Sequence, residues 1–215
     1  MKKMLLCSAL LGSLVLGGLE VSAVDPTSEG KATLETLAPD APAITPENPD
    51  PTNPNGTGQT GLLTIDAVPK FDFQGTGLKG TFTDVAPENH TRNAQVTDRR
   101  GTGAGWELGL KISAFKTTEG VALKGAKITI PVSISAGKEN ESIAPSQVNQ
   151  VNGLIDPVAG LDASKMVAAM KDEGYGTWIA KFENAKLDVA DGNAKGEYFS
   201  TFTWSLGSAP VGEGE

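Results

Sequence analysis

Apolar and polar residues alternate along this chain in short runs, and the alternation predicts strands. In GWELGLKIS, Trp106, Leu108, Leu110 and Ile112 fall on one side of a strand, with Glu107, Lys111 and Ser113 on the other. In YFSTFTWSL, Tyr198, Phe202, Trp204 and Leu206 share one side, and Thr201, Thr203 and Ser205 the other. AKITIPVSIS sets Ile128, Ile130, Val132 and Ile134 inward. Pro131, on its polar face, marks an edge strand or a bulge, because proline has no N–H to give to a ladder. Further strands are expected at 62–65, 77–83, 95–97, 177–182 and 186–189, with Gly, Asn and Asp between them. So many short strands predict an all-β fold, a sandwich or barrel of short antiparallel strands. The departure is DASKMVAAMKDEG, where Met166, Val167 and Met170 recur at helical spacing after a capping Asp162 and predict one short helix.

The pattern fails at both ends of the first sixty residues. The start, MKKMLLCSALLGSLVLGGLEVSA, places Lys2 and Lys3 before an apolar run and closes in the small residues Val21, Ser22 and Ala23. This is the layout of a secretory signal peptide, 1–23, cleaved after Ala23. Glu20 interrupts the run before the about 20 apolar residues that a membrane span needs, so no membrane insertion is expected once the signal is removed. From 24 to 60 the chain is rich in Pro, Thr, Asn and acidic residues and reads as a disordered, extended linker. It is either a spacer holding the domain off a surface or a tail without a role. The β domain is assigned to 61–215, its folded part running from near Gly61 to about Pro210.

Composition narrows the function. Cys7, the single cysteine, lies in the signal, too early for a lipoprotein cysteine, so the processed chain holds no disulfide or thiolate chemistry. The full chain carries a net charge of −8. Loss of two lysines and one glutamate with the signal makes the processed chain one unit more negative. An anion of this size is a poor electrostatic partner for nucleic acid or anionic lipid. Any other polyanion would repel it too, so contact with one has to rest on shape, hydrogen bonds or bridging cations.

The two strand-like runs also carry a resemblance. AQVTDRRGTGAGWELGL (94–110) and YFSTFTWSLGSAP (198–210) are similar to the two signature segments of WxL-domain surface proteins of Gram-positive bacteria. The preceding NPDPTNPNGTGQTGLLTIDAVPKFDFQGT resembles that family in its order of proline repeat, glycine, short strand and Phe-Asp-Phe, although Gln74 stands where the family pattern has Gly. The resemblance implies a secreted protein held non-covalently at the cell wall or cell surface, with peptidoglycan as the partner. It also offers an alternative, an assembly subunit or adhesin component that docks on a membrane-anchored WxL-interacting surface protein. The motif residues it singles out, for wall binding or for structure, are Trp106, Glu107, Leu108, Tyr198, Trp204, Ser205 and Leu206. No sorting motif of the LPxTG type is seen at the carboxyl end.

Little in the sequence points to catalysis, and no enzyme activity, cofactor or metal is expected. His90, in the polar stretch PENHTRN, reads as a loop residue without a nucleophile beside it. No HExxH, EF-hand or multi-histidine pattern is present. Asp98 and Glu107 are the paired acids nearest the signature, and a wall hydrolase through such a pair is the weakest of the readings. In TDRRGTGAGW, Gly101, Gly103 and Gly105 allow a sharp turn, and Asp98 can pair with Arg99 or Arg100. The stretch is either a structural hairpin or bulge, which is favoured, or a ligand-binding loop. Trp106 and Trp204 share their faces with leucines, which favours buried anchors over exposed sugar-stacking rings. Asp98, Arg99, Arg100, Tyr175 and Trp178 are the candidates for direct contact.

Overall fold

The computed structural model describes residues 29–52, 54 and 56–208, the side chain of Ser164 apart. The expected signal at 1–23, the first linker residues and residues 209–215 lie outside the described residues. A compact unit begins at Glu35, and the described residues before it, 29–34, are exposed coil.

The alternating runs become strands: β1 (Leu63–Ala67), β2 (Phe73–Gln74), β3 (Gly80–Asp84), β4 (Arg92–Asp98), β5 (Trp106–Ile112), β6 (Lys127–Ile130), β7 (Ser133–Ala136), β8 (Gln147–Val148), β9 (Val151–Leu154), β10 (Leu161–Ala169), β11 (Gly176–Phe182), β12 (Lys186–Val189) and β13 (Phe202–Gly207). They form three antiparallel sheets, ordered β1-β4-β11-β7, β13-β5-β10-β8 and β2-β3-β12-β6-β9. The fold is all-β. One core joins the three sheets, drawing Ile65, Ala94 and Val96 from the first, Trp106, Leu108 and Leu110 from the second, and Ile128, Ile130 and Leu187 from the third.

Two elements differ from expectation. The segment after Asp162 is not a helix but strand β10, paired with β5 and β8. Its register slips between Ala163 and Val167, and Lys165 sits there at φ 65°. Four residue steps along β10 stand there against two along β5, so two residues are extra; beyond the bulge 166–169 are all buried in succession and mimic helical spacing. The run at 126–135 is two strands, not one. β6 pairs β12 and β9 in the five-stranded sheet, whereas β7 pairs β11 at the edge of the first sheet. Pro131 lies between them as the corner where the chain changes sheets, a place that needs no ladder N–H.

Strand β4 is buried along its whole length. Ala94 and Val96 face the core, while the polar Asn93, Gln95 and Thr97, each at most 2% exposed, face outward. Part of the Pro-rich stretch covers that outer face instead of extending away from the domain. Glu47 N–H donates to Gln95 Oε1 at 2.8 Å, and Asn93 Nδ2 donates to the Asn48 carbonyl at 3.0 Å. Arg92 then closes the contact, its guanidinium lying 2.6 Å from Asp50 and 3.1 Å from Asp84, with all three side chains at most 6% exposed. At the other end of the strap, the Gly61 N–H donates to the Ala41 carbonyl and Arg99 donates to the carbonyls of Pro42 and Gly61. Beneath it, the Asp66 carboxylate accepts hydrogen bonds from Thr64, Gln95 and Thr97.

Candidate functional site

The two Trp-x-Leu segments, separated by almost a hundred residues in the chain, are neighbours in the fold. β13 pairs β5 antiparallel, with Leu206 opposite Leu108, Trp204 opposite Leu110 and Phe202 opposite Ile112. The leucines of the two motifs therefore meet directly. The tryptophans lie four residues apart along the seam, about 13 Å at strand rise.

Their environments are unequal. Trp106 is fully buried, and its Nε1–H donates to the Gly174 carbonyl at 2.8 Å. The backbone around it leaves no slack. A Cβ on Gly105 would stand 2.2 Å from the Ala169 carbonyl oxygen, and one on Gly174 would stand 2.4 Å from the Ala169 Cβ and 2.6 Å from Trp106 Nε1. Both glycines also have positive φ, so two independent constraints exclude a side chain there. Trp204 lies on an edge strand, half-buried, with its ring 5.5 Å from that of Phe182. Thr203 and Ser205 alternate with it and are exposed, as the strand parity requires.

The Gly-rich stretch before Trp106 is not a hairpin but the crossing from β4 in the first sheet to β5 in the second, locked by an ion pair. Gly101, Gly103 and Gly105 all have φ near +67°. Asp98 accepts from the Arg100 backbone N–H at 3.0 Å, Nε at 2.9 Å and Nη2 at 2.7 Å, and Arg100 Nη2 also donates to the Gly105 carbonyl at 2.6 Å. The Asp98 hydrogen bond raises the Arg100 pKa against the opposing effect of burial. Opposite this loop, the Tyr175 carbonyl accepts from Asn140, Ser142 and Trp178 Nε1.

Among the contact candidates, Asp98 and Trp178 are 4% and 3% exposed and are committed to packing and hydrogen bonds within the fold. Arg99, Arg100 and Tyr175 are partly exposed, with Arg99 and Arg100 occupied by the strap and the glycine-rich loop. Glu107 is half-buried on β5 with Lys165 4.0 Å away. The first signature thus reads as a buried girder at one end of the second sheet.

A turn beside it is pH-sensitive. Glu173 Oε2 accepts from the backbone N–H groups of Ser146 and Met170, both at 2.9 Å. Burial works to raise its pKa, but these donors, that of Met170 foremost, prevail and lower it. A carboxylate with a lowered folded-state pKa stabilises the fold above its unfolded value of about 4.3 and loses that contribution as pH falls through the folded value. Glu173→Gln is therefore expected to lower melting temperature modestly at pH 7 and to flatten the loss of stability between pH 5 and pH 3. Parallel acid titrations followed by circular dichroism check this, and identical acid curves for variant and parent would refute it.

A wider recess lies elsewhere. An open groove of about 780 Å³ runs between the third sheet and the 193–202 segment. Six of the chain's seven phenylalanines line it: Phe71, Phe73, Phe82, Phe115, Phe199 and Phe202. Phe71 stacks on Phe73 at 5.9 Å and tilts against Phe202 at 5.2 Å, and Phe115 meets Phe73 and Phe202 edge-on. Tyr198, a motif candidate, closes one side, its hydroxyl donating to the Ala194 carbonyl at 2.9 Å. Sequence reading missed the groove because its rings come from four separate segments. The Phe-Asp-Phe at 71–73 and the phenylalanines around Trp204 were its visible traces. A smaller hollow of about 190 Å³ sits at the β10 bulge, lined by Asn149, Gln150, Asn152 and Lys165 among others.

Among the described residues, no cluster of three or more His, Cys, Asp or Glu is placed to hold a metal ion, and no helix is long and apolar enough to cross a membrane. A family model for the WxL domain, described as surface cell wall-binding, matches residues 22–210. No curated protein and no solved structure matches the chain.

Proposed function

The chain belongs to the WxL-domain family of surface cell-wall-binding proteins, and from that premise we propose that it is exported and binds peptidoglycan directly, without catalysis. The observation that carries this reading is the family match over residues 22–210, which takes in both Trp-x-Leu strands. The net charge of −8 supports a contact with the uncharged parts of the wall over one with teichoic acid. The use of Asp98 as a buried internal partner of Arg100 supports binding over hydrolysis, since both of its oxygens are taken up within the fold.

Sedimentation of the purified protein with peptidoglycan stripped of teichoic acids, at low and high salt, tests the proposal. Binding that survives high salt is expected. Protein left in the supernatant under both conditions would overturn direct recognition. That outcome would favour the second reading, docking on a WxL-interacting surface protein. The observation behind this alternative is that β13 ends its sheet, paired on one side by β5, and such an edge can accept a partner strand.

A further inference from the structure

We propose that the phenylalanine-lined groove is the glycan site of this protein, taking a strand of N-acetylated hexosamines with sugar faces against the phenyl rings. The inference rests on the wall-binding reading and adds where the polymer sits and which part of it is read. Three observations carry it.

The first is concentration of aromatic surface. Six of seven phenylalanines surround one open groove: Phe115 belongs to the core, Phe71, Phe73, Phe82 and Phe202 pack against it with part of each ring uncovered, and Phe199 stands outside it. At the groove mouth Phe199 and Leu78 remain 59% and 52% exposed. Large apolar side chains held at the rim of a concave site mark a place that a ligand covers.

The second is charge. The groove is rimmed by Lys70 and Lys195 and by Asp72 and Glu197, all exposed. These four cancel, on a chain whose overall net charge is −8. A polyanion such as teichoic acid would need an excess of cations here, and a simple acyl chain would need no charges at all. An uncharged polyol with amide substituents suits a balanced polar rim above an apolar floor.

The third is the amphipathic shape of such a sugar. Its ring presents C–H bonds on one face, which pack on aromatic carbon, while hydroxyl and acetamido groups project at the edges. In this groove the floor of Phe71, Phe73 and Phe202 meets the ring faces, and Lys70, Asp72, Lys195 and Glu197 stand where edge groups arrive. The acetamido methyl finds apolar surface between the phenyl rings.

The test uses the purified protein with two probes, insoluble teichoic-free peptidoglycan and the soluble trisaccharide N,N′,N″-triacetylchitotriose. Phe199→Ala removes an exposed ring and leaves the backbone bridge to Lys116 in place, so melting should not change. Val158→Ala, at a residue 84% exposed and outside the groove, serves as control. The expected result is saturation-transfer NMR contact with the trisaccharide and about tenfold weaker binding to both probes for Phe199→Ala, with Val158→Ala like the parent. Parent binding to peptidoglycan with Phe199→Ala and a Phe73→Ala variant unchanged would overturn the groove and leave wall binding intact. Parent binding to peptidoglycan with none to the trisaccharide would overturn the glycan assignment. Failure of the parent to sediment with peptidoglycan would remove the reading itself, and the groove assignment with it.

Discussion

Replacing Trp106 by alanine is expected to cost about 3 to 5 kcal/mol and to lower the melting temperature by about 10 °C or more in a domain of this size. The ring is fully buried between β5 and β10, its indole N–H is bound to the Gly174 carbonyl, and the glycines beside it are packed too closely for neighbours to collapse into the space. Trp106→Phe separates the two contributions. It fills much of the volume but leaves the Gly174 carbonyl without its donor, for about 1 to 3 kcal/mol. Trp204→Ala should cost less, since that ring is half-buried on an edge strand. Thermal unfolding of the three variants checks the order. Equal losses for the two alanine variants would show that the tryptophans are equivalent, contrary to their environments here.

Arg92→Ala is expected to be as damaging, at about 3 to 5 kcal/mol, because it leaves two buried carboxylates without their shared guanidinium. The effect should also be local. Asp50 belongs to the strap, so loss of Arg92 frees 41–52 from the outer face of β4 and exposes Asn93, Gln95 and Thr97 to water. Limited proteolysis should then cut within 41–52 in the variant, well before the rest of the domain, and leave the parent intact there. An unchanged cleavage pattern would mean that the strap is held by its other hydrogen bonds alone. Asp50→Asn should give a milder form of the same behaviour, since Arg92 keeps Asp84.

These two sites were unequally legible in the sequence. The burial of Trp106, Leu108, Leu110 and Ile112 follows from period-two alternation, and β5 carries it as read. The bounds of β12 and the inward set of β13 follow from the same rule. Alternation cannot show that a continuous run is broken between two sheets, and the run through Pro131 looked like one strand for that reason. Nor can it absorb inserted residues: around Lys165 the bulge and the continuous burial after it turn a strand into a pattern that imitates a helix. The strap is harder still, because Asp50 and Arg92 are 42 residues apart and a Pro-rich polar stretch has no periodicity to reveal what it covers. The groove has the same difficulty, as its rings come from segments spread between Phe71 and Phe202.

The pairing of β5 with β13 has a consequence in time. Ser113 and Thr201, 88 residues apart, are joined by hydrogen bonds at the end of this ladder, so one side of β5 waits for a strand that follows it far along the chain. Contacts this distant in sequence make assembly slow, on the order of milliseconds to seconds. During that interval an incomplete chain presents Leu108 and Leu110 along an open strand edge, a template for wrong pairing. A polypeptide truncated before residue 202 should therefore aggregate, since the second signature segment is what covers that side of β5.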